Sequence, residues 1–330
     1  MSWAWLFAQV PRAGSGIPDL GFVYVCGNVE SKVHKLRKFD LKKVAESERY
    51  PYNDYYALAE DADFVYVGGD NTAIVWKLRK TDLVKVAESA SCDSIYSLIV
   101  DDDFVYASGD GMSTNTVKKL RKTDLVKVAE SAIVGEGYAL AEDADYVYVA
   151  GDYWPGVPFP YSTFRVKKLQ KSDLSLVAQS ASYYNGQIWE LEVDEDYIYF
   201  GGDWPRTVMK LRKTDLVKVA ESASYGAIIY DSAQDTDFIY IGGYYLTQTI
   251  QKLRKTDLVK VAESEKYDPV WDADIWAVVA DDEFVYFAGC RGSTDTVIQL
   301  QKSDLVKVAE SAVYGYGGGC IRALAEDSPA

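Results

Sequence analysis

The chain has 330 residues and a formal net charge of −15, with 26% charged and 48% hydrophobic residues. That balance disfavours a nucleic-acid partner, which needs a basic surface to displace counterions from phosphates. No run approaches the roughly 20 apolar residues of a spanning helix, so no membrane insertion is expected.

In chain order, residues 1–20 stand first as an N-terminal segment. Within it, WAWLFAQ at 3–9 reads as a short strand, and Trp3, Trp5, Leu6 and Phe7 are too apolar to be left in water. The segment lacks a basic start and its apolar run is short, so no signal peptide is read from it. From Phe22 onward one unit recurs. The thirteen-residue string KLRKTDLVKVAES stands unchanged at Lys77, Lys119, Lys210 and Lys252, with looser copies from Lys35, Lys168 and Gln299. Its leucines, Leu36, Leu78, Leu120, Leu169, Leu211, Leu253 and Leu300, are spaced 42, 42, 49, 42, 42 and 47 residues apart. A period near 42 marks a supersecondary unit stacked on itself.

The unit at 55–89 contains four strand-like runs: Tyr56–Glu60, Phe64–Val67, Ile74–Arg79 and Val84–Glu88. Turn chemistry separates them. Asp61-Ala62-Asp63, Gly68-Gly69-Asp70 and Lys80-Thr81-Asp82 offer carboxylates to nearby amides and glycines for positive φ. The second run is apolar without alternation in every copy, so it is covered on both faces, here by neighbouring units. Four antiparallel strands at this period predict an all-β, seven-bladed β-propeller spanning 1–330 as a single domain. The long spacings read as loop insertions in 151–165 and 265–274.

First strands fall at 55–61, 95–101, 137–143, 188–194, 228–234, 275–281 and 321–327. The last is followed by no second strand, and the blade beginning at Phe22 lacks a first one. Residues 321–327 are therefore expected to close the ring. The strand at 3–9 is then one too many. It packs as an extra strand on its own ring, or is donated to a neighbouring copy, a contact that closes a ring or propagates as a filament.

At FVYVGGD…VWKLRKTDLVKV the chain resembles the YVTN-type repeat propellers within the PQQ-like, quinoprotein-like group, over residues 20–327. The resemblance implies a fold and transfers no catalytic motif. It points to an extracellular or cell-surface location, with the cytoplasm as the alternative given the absence of a readable signal peptide.

Acids crowd the first hairpin turn of each unit, from Glu60, Asp61 and Asp63 to Glu326 and Asp327, and all fall on one face of a propeller. They read either as a cation- or partner-binding ring or as turn caps with lateral salt bridges. Cys26, Cys92, Cys290 and Cys320 occupy different repeat positions, so they form no metal set. If 321–327 closes the ring, Cys26 and Cys320 fall on adjacent strands, where a disulfide would clamp the closure; the alternative is two buried thiols. The one histidine, His34, stands where other copies carry Trp76, Lys118, Lys167, Met209, Gln251 and Ile298, which suits no general base. No catalytic residue, metal or cofactor is expected.

Departures from the repeat are where function is sought. On the opposite face the loops carry Tyr52, Tyr153, Trp154, Phe159, Tyr161, Tyr184, Trp204, Arg206, Tyr245, Tyr267, Trp271, Tyr314 and Tyr316. Tyr and Trp give broad contact area with a polar tip, as in binding hot spots. The sequence thus predicts a non-enzymatic structural or adhesive scaffold. It self-associates as a homo-oligomer or filament through a terminal strand (Trp3, Trp5, Leu6, Phe7) and the aromatic face, or binds a protein or glycan. The alternatives are a propeller that binds a glycan or small molecule at its central channel and a quinoprotein-like enzyme.

Overall fold

In the computed structural model, the residues described are 21–27, 31–49, 54–69, 73–92, 94–110, 116–132, 134–135, 137–151, 163–184, 186–203, 205–244, 249–267, 274–290, 295–314 and 320–327. The strand read at 3–9, with Trp3, Trp5, Leu6 and Phe7, lies outside them. Seven antiparallel sheets form the seven blades of a β-propeller. Blade two runs from the axis outward as Tyr55–Glu60, Phe64–Gly69, Trp76–Arg79 and Lys85–Glu88. The other inner strands are Ser94–Val100, Ala139–Glu142, Ile188–Val193, Ile228–Gln234 and Asp274–Ala280, in blades three to seven. Blade four carries a fifth strand, Tyr183–Tyr184, paired with an extended third strand, Thr163–Gln170, beside one of the expected insertions. No helix among the described residues is long and apolar enough to cross a membrane.

The unbroken apolar second strand has the cause the sequence suggested. Val65 and Val67 pack toward blade one with Tyr24, Cys26 and Ala323, whereas Tyr66 packs toward blade three with Ile95 and Leu98. The core is thus a set of inter-blade layers. The paired glycines permit close approach: a Cβ on Gly68 would press on Ile95 of blade three, and one on Gly69 would meet the Asp54 carbonyl oxygen. In the Lys-Thr-Asp-Leu turn, Leu83 and its six equivalents adopt positive φ, between 51° and 60°. That backbone costs an L-residue about 1–2 kcal/mol, and it is offset by sinking each leucine into the inter-blade core.

The C-terminal strand Ile321–Glu326 fills the inner position of blade one, pairing Val23 with Glu326 and Cys26 with Ala323. The expected disulfide is corrected. Cys290 bonds Cys320, while Cys26 and Cys92 are buried and form no disulfide. Cys26 lies opposite Ala323 and packs in the layer toward blade two. Past a bulge, the Cys320 backbone abuts Gly27, and its sulfur meets Cys290 at the end of the second strand of blade seven. The bond therefore fastens blade one to blade seven across the ring's seam.

Candidate functional site

The acidic turns are structural. In blades two to seven one aspartate, such as Asp61, accepts two turn amides through Oδ1, here from Asp63 and Phe64, and in blade one Asp327 accepts that of Phe22. The Oδ2 of Asp61 accepts the buried tyrosine hydroxyl of its own blade, Tyr66 at 2.8 Å, and an ion pair from the next blade, Lys122 at 2.8 Å. The pattern closes round the ring: Asp101–Lys171, Asp143–Lys213, Asp194–Lys255, Asp235–Lys302, Asp281–Lys38 and Asp327–Lys80 lie within 2.7–3.6 Å. Burial pushes the Asp61 carboxyl up, but hydrogen bonds from Lys122, Tyr66 and the turn amides outweigh it and hold it below the usual range. A hollow of about 840 Å³ opens on this face. Its Asp61, Asp101 and Asp143 already hold lysine and tyrosine.

The first lysine of each KLRK works in the other direction. Lys35, Lys77, Lys119, Lys168, Lys210 and Lys252 each donate to the carbonyl of Lys80, Lys122, Lys171, Lys213, Lys255 and Lys302 in the next blade, at 2.7–3.2 Å. Blade seven has Gln299 there, which donates to Tyr286 of its own blade instead. The junction that lacks this lysine is the one bearing the disulfide.

Of the expected aromatic face, Tyr52, Tyr153, Trp154, Phe159, Tyr161, Trp204, Tyr245, Trp271 and Tyr316 lie outside the described residues, as does the side chain of Tyr184. Tyr267 and Tyr314 are not presented to solvent. Tyr267 is buried against Phe287 and donates to the Thr296 carbonyl, and Tyr314 is buried against His34. Arg206 is spent locally, donating to the carbonyls of Gly226 and Asp203.

A different aromatic set surrounds the axis. One repeat position, at the start of the inner strand, holds Tyr56, Tyr96, Tyr138, Trp189, Tyr230, Trp276 and Arg322 in the seven blades. Each touches the next, with centroids 5.5, 5.4, 4.6, 5.9 and 4.0 Å apart from Tyr56 round to Trp276. The Arg322 guanidinium closes the circle, 4.5 Å from the Trp276 ring centroid and 5.0 Å from that of Tyr56. All seven are half-buried. This collar lies at the end of the channel opposite the acidic turns, because it starts the inner strands and the turns end them. Trp189 is fixed by a 2.6 Å hydrogen bond to Asp203, and Gln187 donates to the Tyr138 hydroxyl.

The collar and the residues just inside it line a cavity of about 310 Å³. One step deeper the same repeat position is small in five blades (Ala57, Ser97, Ala139, Ala277, Ala323) and acidic in blades five and six, as Glu190 and Asp231. Glu192, two residues beyond Glu190, also replaces an apolar residue. Glu190 is 4% exposed; its Oε2 accepts the Ser232 hydroxyl at 2.6 Å and its Oε1 has no hydrogen-bond partner. Asp231 accepts the Val278 amide at 2.7 Å and Glu192 the Gln234 side-chain amide at 2.9 Å. Burial raises all three carboxyls: Glu192 to about 8, Asp231 to about 7 and Glu190 well above its ordinary value. A half-open channel lined by protein on every side keeps some surface on Glu192 and Asp231 while stripping most of their water.

No family model matches the chain, and none of the curated proteins compared with it matches. Solved structures do resemble it. Hydrazine synthase of Kuenenia stuttgartiensis superposes with a TM-score of 0.66 at 13% identity, covering 85% of this chain and 95% of that one. The computationally designed Ika8 protein gives 0.57 at 13% identity, covering 78% and 77%. At such identities the likeness shows the fold, a seven-bladed β-propeller, and nothing finer.

Proposed function

We propose that this protein is a non-catalytic binding propeller that takes a small organic ligand into the collared mouth of its central channel. One observation carries the reading: six aromatics and one arginine at a single repeat position form an unbroken circle over a cavity. Faces of Tyr and Trp suit flat or apolar ligand surfaces, such as sugar or aromatic rings. A volume of about 310 Å³ is that of a small-molecule pocket, for which about 300–1,000 Å³ is usual. The YVTN-type, PQQ-like resemblance belongs to this reading as a scaffold. The Cys290–Cys320 bond fits an oxidising compartment, in keeping with an extracellular location.

A thermal-shift screen of oligosaccharides and small aromatic compounds is expected to yield ligands that raise the melting temperature and quench Trp189 or Trp276 fluorescence. Trp276→Ala with Tyr230→Ala should weaken them about tenfold or more, since a stacked aromatic contributes about 0.5–1.5 kcal/mol beyond its buried area. Ligands that bind the double variant unchanged would place the site elsewhere.

A second reading, self-association, draws on the outer strands. Val84 and Val86 are 50% and 46% exposed, and their equivalents follow in the other blades. An outermost strand also presents unpaired backbone groups. Ion pairs such as Lys85–Glu88 at 2.7 Å guard that edge. If the edges associate, light scattering will show particles that grow with concentration, and Val84→Lys with Val126→Lys and Val259→Lys will reduce them. A particle of one-chain mass at every concentration ends this reading.

A further inference from the structure

Resting on the collar reading, we infer that the ligand is an organic cation whose protonated amine is received by Glu190 and Asp231 beneath the collar, while its body lies against the aromatic rings.

The acids are departures from the repeat. Five blades build the same inner strand with Ala or Ser at the Glu190 and Asp231 position, and the Glu192 position is apolar in every other blade. The fold therefore has no need of them. Burying carboxyls without a cation is costly, and these line a cavity. Glu190 in particular has an oxygen with no partner although the side chain is almost fully buried. An ammonium group supplies up to three donors, which suits this free oxygen, and the neighbouring Asp231 carboxylate adds a second negative charge. Aromatic faces above a carboxylate also favour a cation over a neutral group. Among the described residues no set of three or more His, Cys, Asp or Glu is placed to hold a metal ion, so a compact inorganic cation is a poorer match.

The charged groups around the cluster are few. On blade five stand Glu190 and Glu192; on blade six Asp231, with Lys255 bearing on Glu192 from its outer turn. Blade five also contributes Asp203, which accepts the Trp189 indole N–H at 2.6 Å and bears on Tyr230. Blade seven contributes Asp274 beside the collar, near Tyr230, and blade one places Arg322 in the collar. Because burial raises the acids, a bound ammonium favours their ionised form and expels protons, so affinity should grow as pH rises from about 6 to about 8.5.

The test compares benzylammonium with benzyl alcohol, which differ at the group meant for Glu190, by calorimetry and by Trp189 and Trp276 fluorescence. The amine is expected to bind at least about tenfold tighter at about pH 8.5, with proton release visible as a dependence of heat on buffer. Glu190→Gln should remove most of that preference by weakening the amine far more than the alcohol. Asp231→Asn, with the same expectation, covers the case in which the first variant does not fold. Equal affinity for the two compounds, or a preference that survives both substitutions, overturns the cation assignment alone. Silence with both compounds counts against the collar reading, and this inference falls with it.

Discussion

Truncation before Cys320 is expected to abolish the cooperative unfolding transition. The deletion removes the whole inner strand of blade one and, with it, the buried Ile321, Ala323, Leu324 and Ala325. It also removes Asp327, which receives the Phe22 amide and the Tyr24 hydroxyl, and Glu326, paired with Lys38 at 2.5 Å. A buried Leu or Ile contributes about 1.5–3 kcal/mol and a strand hydrogen bond about 1. The total rivals the 5–15 kcal/mol that typically hold a domain folded. A synthetic peptide of residues 320–327 added to the truncated chain should restore part of the transition; a truncated chain that melts like the full one would mean that 321–326 is dispensable. The disulfide adds a smaller, separable part. Its 30-residue separation corresponds to about 3–4 kcal/mol in the chain-entropy description, so Cys320→Ser should lower the denaturant midpoint while Cys26→Ser leaves the seam intact. Alkylation of the denatured, unreduced protein should count two thiols, Cys26 and Cys92. Four would refute the bond.

Stability is expected to peak on the acid side of neutrality and to fall as pH rises toward 8. Two sets of carboxyls act in opposite senses. Asp61, Asp101, Asp143, Asp194, Asp235 and Asp281 are held below their ordinary range. What they contribute is complete above about pH 4 and is lost as pH falls through their folded values. Glu190, Glu192 and Asp231 are raised, so between about pH 4 and their folded values the native state binds more protons than the unfolded chain. Over that span each rise in pH disfavours folding. With Glu192 near 8, the loss is on the order of 3 kcal/mol once channel water screens the group. Glu192→Gln should flatten the alkaline decline and raise the melting temperature at about pH 8 relative to the parent. A parent protein whose melting temperature climbs steadily from about pH 5 to about pH 8 would show that these carboxyls are not buried as described.

The ring was legible because its cause is periodic. Turn residues, apolar second strands and the 42-residue spacing repeat in the sequence as they do in space, and Ile321–Glu326 could be assigned by counting unfilled positions. The turn aspartates were readable as caps, and the lysine partners complete that account. The collar is equally periodic. Tyr56, Tyr96, Tyr138, Trp189, Tyr230 and Trp276 all directly precede the small or acidic residue of the first strand, and aligning those strands would have shown an aromatic in six of seven. The irregular loops stand out more in a single sequence, yet their Tyr267 and Tyr314 are core residues. The cysteine pairing was not legible in the same way. Adjacent strands placed Cys26 within reach, but a bulge turns Cys320 toward the neighbouring blade, and no local pattern announces that rotation.

The two lysines of KLRK have a consequence for how such a chain can grow. Each of blades one to six carries both halves of a fastening, a lysine that reaches forward to a backbone oxygen and one that reaches back to an aspartate. Any copy therefore mates with any other, in the manner of identical links. A gene segment encoding one unit can be duplicated or lost between two others without rewriting the joint on either side, and the number of links is left to the curvature of the circle. Only the clasp is individual, where Gln299 interrupts the pattern and a covalent bond takes over, so that junction alone fixes where the necklace begins and ends.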